Sequence, residues 1–216
     1  MSERQIAVVG ALKTVLHTFL VDPKFAAECT KIAISVKSHG FGSMLEQDDR
    51  EFNGLLSHVK GCRSALEIGS RYGKSIQYIA GQMAPDTKVV SVDLPYTGGC
   101  EGLPDAEPIL RATIEEIASR GHETHLFLGN SHNPALVKAV QDLGPYDFCF
   151  IDGDHSYAGV KADWENFGSH AKIVAFHDII NNPDCFRLWN EIKGNYRHVE
   201  YTQSVWLGIG VLFKDN

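Results

Sequence analysis

Ala65-Leu66-Glu67-Ile68-Gly69-Ser70-Arg71-Tyr72-Gly73-Lys74-Ser75 is an apolar run carrying one acid, then a turn with two glycines, then the start of a helical pattern. Four later runs also stop at polar or acidic groups: Val89-Val90-Ser91-Val92-Asp93, Leu126-Phe127-Leu128-Gly129-Asn130, Phe148-Cys149-Phe150-Ile151-Asp152 and Ile173-Val174-Ala175-Phe176-His177-Asp178. Short β-branched and aromatic runs separated by helical stretches are the pattern of parallel strands joined by crossover helices. Such sheets bind ligands just outside the carboxyl ends of their strands. Five strand ends therefore aim polar groups at one crevice.

Outward from that core, the pattern predicts helices over 74–83, 106–120, 134–143, 157–169 and 184–193, alternating with the strands. The tail differs. Tyr196 to Thr202 and Leu207 to Lys214 are too close for a helical crossover, so they form an antiparallel hairpin at or near one sheet edge. The expectation is a doubly wound α/β fold with a mostly parallel seven-stranded sheet. Upstream, Ile6 to Val21 reads as an amphipathic helix, and Asp22-Pro23 starts a second helix that runs to about Lys37. Asp48 and Glu51 have the spacing of a capping box, opening a third helix that ends at Gly61. Residues 1–60 thus read as an N-terminal helical cap and 61–216 as the core of a single domain.

Composition bounds the partners. With 216 residues, 44% of them apolar and 22% charged, the chain has enough core for one large α/β domain. A net charge of -7 argues against coating nucleic acid or an anionic membrane, and no run is apolar for long enough to span a bilayer. The cysteines (Cys29, Cys62, Cys100, Cys149 and Cys185) are odd in number and dispersed, as expected of reduced thiols in a cytoplasmic protein.

The turn after the first strand lacks the middle glycine of GxGxxG, which weighs against NAD or FAD, and no GxxxxGK[ST] loop is present. An acid on the first strand, a glycine pair after it and an acid ending the second strand suit a ligand with an amino-acid end and a ribose, which S-adenosylmethionine has. Glu67 would hold the turn or the ligand's ammonium. The amides from Gly69 through Ser70 to Gly73 and Ser75 would face the methionine moiety, Asp93 the ribose, and Asn130 with Ser131 the adenine. The alternative is that Asp93 and Asn130 only cap loops. At the fourth and fifth strand ends, Asp152 and Asp178 fall on neighbouring strands, within reach of one hard cation.

These segments, with Phe150-Ile151-Asp152-Gly153-Asp154-His155-Ser156-Tyr157, resemble class I S-adenosylmethionine-dependent methyltransferases. Within that class the resemblance is to bacterial small-molecule O-methyltransferases of the catechol, caffeoyl-CoA and cephalosporin-hydroxylase-like type, over roughly Gly42 to Lys214. It implies a Rossmann-like core, S-adenosylmethionine as cofactor and a small hydroxylated acceptor. It also implies Met44 beside the sulfonium, Asp152 lining the cofactor pocket, and a divalent cation such as Mg, Mn or Ca on Asp152 and Asp178. Where the family has a third ligand, Asn, this chain has Ile179, so His177 is expected to fill that place, with imidazole favouring Mn, Fe, Co or Zn. Where catechol-type enzymes have a Lys base, this chain has His155, a base suited to neutral pH, with Asp154 orienting it or joining the metal shell. The alternative gives Asp154 or His155 to helix capping.

The rest of the chain offers little chemistry. Trp164, Trp189, Trp206 and Tyr157 read as core before acceptor wall, His58, His122 and His170 as solvated, and Lys161, Asp163 and Glu165 as an exposed helix face. The apolar N-terminal helices are candidates for pairing two copies in a homodimer. Rival readings are an N- or nucleic-acid methyltransferase, disfavoured by the charge and the lack of an Asn-Pro-Pro-Tyr motif, a non-catalytic binding module, and a nicotinamide oxidoreductase.

Overall fold

The computed structural model describes residues 48–94, 105–204 and 207–214. Residues 45–216 form one compact unit. The expected helices before Asp48, Met44, most of the loop after β2 and Trp206 lie outside the described residues.

Seven strands form one sheet in the order β3-β2-β1-β4-β5-β7-β6. They are β1 (Ser64–Ile68), β2 (Lys88–Asp93), β3 (Glu123–Leu128), β4 (Phe148–Ile151), β5 (Ile173–Phe176), β6 (Arg197–Tyr201) and β7 (Ile209–Phe213). The first five pair in parallel, and β7 runs antiparallel between β5 and β6. The hairpin and the doubly wound sheet expected from the sequence are both present. Helices α1 (Asp49–Leu56), α2 (Lys74–Gln82), α3 (Ala106–Ser119), α4 (Pro134–Gln141), α5 (Tyr157–Asn166) and α6 (Pro183–Ile192) complete the described elements, with short 3-10 turns at Gly168–His170 and Lys193–Asn195. The first turn takes over the predicted end of the fifth helix.

The sheet is buried on both faces, as parallel sheets require. Phe148, Phe150, Ala175 and Val211 face α1, α2 and α3 on one side, while Cys149, Ile151, Val174, Phe176 and Leu212 face α5 and α6 on the other. Trp164 and Trp189 sit in the second cluster and are core, as read. Helix α1 belongs to this unit, although the sequence groups it with the N-terminal cap: Phe52, Leu55, Leu56 and Val59 are buried in the first cluster.

Half of the capping box forms. Asp48 caps α1 by accepting from the Arg50 and Glu51 amides, but Glu51 does not return the bond. Its carboxylate is wholly buried and accepts instead from Ser204 and Gly208. Two histidines expected in solvent are also engaged. His122 is buried with Nδ1 2.8 Å from Thr87 Oγ1, and His58 Nε2 lies 2.7 Å from the Tyr201 hydroxyl. His170 is exposed.

Candidate active site

Parallel register levels the strand ends. Ile68 stands opposite both Val92 and Ile151, and Ile151 opposite Phe176, so the residues that follow fall side by side. The ladder continues one rung further: the Gly69 amide donates to Val92 O, that of Asp152 to Ile68 O, and that of His177 to Ile151 O. Gly69, Asp93, Asp152 and His177 thereby crowd one rim of the sheet.

The glycine turn is built for close approach. Gly69 has φ +92, and a Cβ there would stand 2.1 Å from Asp152 O, so no other residue fits without moving the β4 exit. Arg71 fills the position of the missing glycine at φ +48, where the Asp93 carboxylate receives its amide at 2.8 Å. That bond leaves Asp93 Oδ2 for a ligand. Ser91 Oγ donates to Ser70 Oγ at 2.7 Å, packing the turn against β2. Gly73, at φ +79, starts α2 with no side-chain cap, so that no side chain takes the positive end of the helix dipole beside the turn.

Beneath the turn, Glu67 is wholly buried and both its oxygens lack hydrogen bonds. Burial pushes its carboxyl up to about 8, although Ser70 and Ser75 face it and draw it partly down. Burial also raises Asp93. Asn130 is exposed and its Oδ1 accepts from the His132 amide at 2.7 Å, so it caps its own loop and offers its amide nitrogen outward.

At the ends of β4 and β5 four side chains meet. His177 Nδ1 lies 3.1 Å from Asp152 Oδ1 and 3.4 Å from Asp178 Oδ2, while His155 Nε2 is 3.4 Å from each of the same oxygens. Asp178 turns its carboxylate into this group from a left-handed backbone at φ +58. The charges settle one another. Burial alone would raise Asp152, but His177 and His155 hold it well below the usual carboxylate range. Burial opposes the charge on His177, yet Asp152 and Asp178 push it up to about 10. The bond to Asp152 likewise raises His155, against its burial.

Helix capping does not claim His155. Ser156 caps α5 by accepting from Gly159, and Asp154 Oδ1 accepts from the Ser156 amide at 2.9 Å, leaving the half-exposed His155 ring facing the two aspartates. Asp152, His155 and Asp178 each offer one ligand atom within 4.8 Å of the others, a span that a cation with bonds of about 2.0–2.6 Å can bridge. These residues therefore fit a divalent ion. His177, expected as third ligand, presents Nδ1 to both carboxylates, while its Nε2 is buried without a hydrogen bond.

Sequence reasoning missed Asp163. The spacing predicts an exposed helix face, but Asp163 is wholly buried, with His132 Nε2 3.2 Å from Oδ1 and Ser131 facing its carboxylate. Burial raises its carboxyl to about 6. The signal was available: Val160, Asp163, Trp164 and Phe167 form one helical stripe, and an acid within an apolar stripe marks a buried one.

Residues 66–179, which contain every strand end described above, match the family model described as a methyltransferase domain. The chain belongs to this methyltransferase family. Solved structures share the fold. An O-methyltransferase from Bacillus cereus, in complex with S-adenosylhomocysteine (SAH), matches with TM-score 0.56 at 18% identity over 85% of this chain and 90% of its own. The O-methyltransferase TomG from Streptomyces achromogenes, solved with S-adenosylmethionine, matches with TM-score 0.55 at 15% identity over 85% and 96%. An rRNA methylase from Streptococcus thermophilus matches with TM-score 0.56 at 12% identity over 80% and 99%. No curated protein sequence matches the chain. The methyltransferase fold is thus shared by enzymes of different acceptors, and the choice of acceptor rests on the site.

Proposed function

We propose that this methyltransferase moves the methyl group of S-adenosylmethionine to a hydroxyl of a small molecule, with the His155 imidazole as proton acceptor. The observation that carries the reading is the placement of that ring, half-exposed and oriented by two carboxylates, with Nε2 3.4 Å from both Asp152 and Asp178. Displacement at the sulfonium forms a C–O bond as the C–S bond breaks, the electron pair stays on sulfur, and the hydroxyl proton passes to the imidazole. The protein's part is positioning and proton removal. The Gly69 to Ser75 turn, Glu67 and Asp93 would hold the donor, with Asn130 and Ser131 at its adenine.

A divalent cation held by Asp152 and Asp178 would lower the acceptor hydroxyl pKa. His177 then orients the two carboxylates through Nδ1 while His155 faces the acceptor. A second reading has its own support: His177 Nδ1 already spans both carboxylates, so its imidazolium supplies the positive charge without a metal. The net charge of -7 and the acidic rim favour a small acceptor over RNA. Cys62, Cys149 and Cys185 are free and buried, in keeping with a cytoplasmic enzyme, and among the described residues no helix is long and apolar enough to cross a membrane.

The experiment is SAH formation across a panel of hydroxylated acceptors, with chelator and with added Mn or Mg. His155→Ala should bind SAH as the parent does and lose turnover by about 100-fold or more, the usual contribution of a positioned base. Undiminished turnover would remove His155 from the chemistry, and turnover surviving chelation would favour the imidazolium reading.

A further inference from the structure

Glu51, like Glu67 and Asp163, is wholly buried, but unlike theirs its carboxylate is engaged on both oxygens. Oε1 accepts from the Ser204 amide at 2.6 Å, and Oε2 accepts from Ser204 Oγ at 3.1 Å and from the Gly208 amide at 3.0 Å. These partners lie 153 and 157 residues further along the chain, in the β6–β7 connection. A buried carboxylate is a poor device for stability alone, because a well-packed apolar side chain avoids its desolvation. What it adds is one fixed place for its donors.

That connection touches the candidate site through the backbone. Gly208 O accepts from the Ile179 amide at 3.3 Å and Leu207 O from the Ile180 amide at 3.0 Å. These amides directly follow Asp178, whose φ of +58 a non-glycine residue keeps only when its surroundings impose it. Gly208, at φ +81, allows the close approach, since a Cβ there would stand 2.6 Å from Ile180 Cγ1.

We propose that Glu51 is a positioning residue for the strand-end cluster. Its carboxylate fixes Ser204 and Gly208, Gly208 and Leu207 fix the backbone after Asp178, and that backbone sets where the Asp178 carboxylate stands against His155 and His177. Glu51 touches none of those side chains. The assignment concerns the geometry of the cluster and holds with or without a bound cation.

Glu51→Gln keeps the shape but puts an NH2 group where one backbone N–H now finds an acceptor. Three readouts on the full chain decide: the imidazole ring-proton NMR signals of His155 and His177, SAH binding by calorimetry, and thermal melting. The expected result is displaced or broadened signals from both rings with SAH affinity unchanged, because the turn after β1 is held by Asp93 and Ser91. Ser204→Ala, which keeps both backbone donors, should displace the same signals less. Unchanged ring signals alongside a lowered melting point would make Glu51 merely structural and overturn the proposal. So would signals that change only together with lost SAH binding. If Glu51→Gln fails to fold, unmoved signals in Ser204→Ala overturn it. The ring signals decide even if the parent binds no SAH, so a failure of the methyl-transfer reading would be seen separately.

Discussion

Glu67 is where burial and charge conflict most plainly. Burial disfavours the anion and pushes its carboxyl from an ordinary 4.5 up to about 8. The folded state therefore binds the proton more tightly than the unfolded chain, and stability falls as pH rises between those two values. Below 4.5 the contribution is fully present, and above 8 it is gone. Glu67→Gln mimics the protonated form at every pH. The variant should match the parent in urea melts near the acid end and exceed it at the alkaline end, by up to about 1.4 kcal/mol per pH unit crossed. Parallel stability curves for the two proteins would show that Glu67 stays charged in the fold. The conflict has a use in the proposed site, since an acid already short of partners gains most when a ligand's ammonium arrives.

Elements explain why some of this was legible and some was not. Strand ends depend on nearby residues, so Asp93, Asp152 and Asp178 could be placed from runs of five or six letters, and parallel pairing then levelled them. Asp48 as a cap was equally local. Glu51 has the same spacing as a capping-box acid, but its partners lie 153 residues away, and nothing near Glu51 announces them. Gly210 is another such case. On the buried strand β7 it faces the Trp189 ring of α6, and a Cβ there would stand 2.6 Å from the ring. Trp189 cannot retreat freely, because its Nε1 donates to Glu200 Oε1 at 2.6 Å. Gly210→Val should therefore overpack the sheet-to-helix contact and cost about 1–3 kcal/mol or more. The check is a chemical melt with the urea slope unchanged. Full stability would mean that the ring and α6 shift without cost.

At the scale of the molecule, the sheet has two working halves that meet at β1 and β4. The ends of β1, β2 and β3 present the glycine turn, Asp93 and the Asn130 loop, while those of β4 and β5 present the His and Asp cluster, whose following backbone bonds to Leu207 and Gly208. A ligand lying across the rim contacts only the folded state, so it must stabilise the whole chain by mass action. At a concentration about 100 times its dissociation constant, SAH should add about 2.7 kcal/mol. For a domain of this length each kcal/mol moves the melting temperature by about 2–4 °C, giving a rise of about 5–10 °C. NAD, whose pyrophosphate needs the middle glycine that this turn replaces with Arg71, should give none. A divalent ion added with SAH separates the two readings of the cluster: a further rise that chelator reverses means Asp152 and Asp178 hold a cation, and no further rise means the His177 imidazolium keeps that place. Melting unmoved by SAH at saturating concentration would remove the donor from the rim, and with it the proposed reaction.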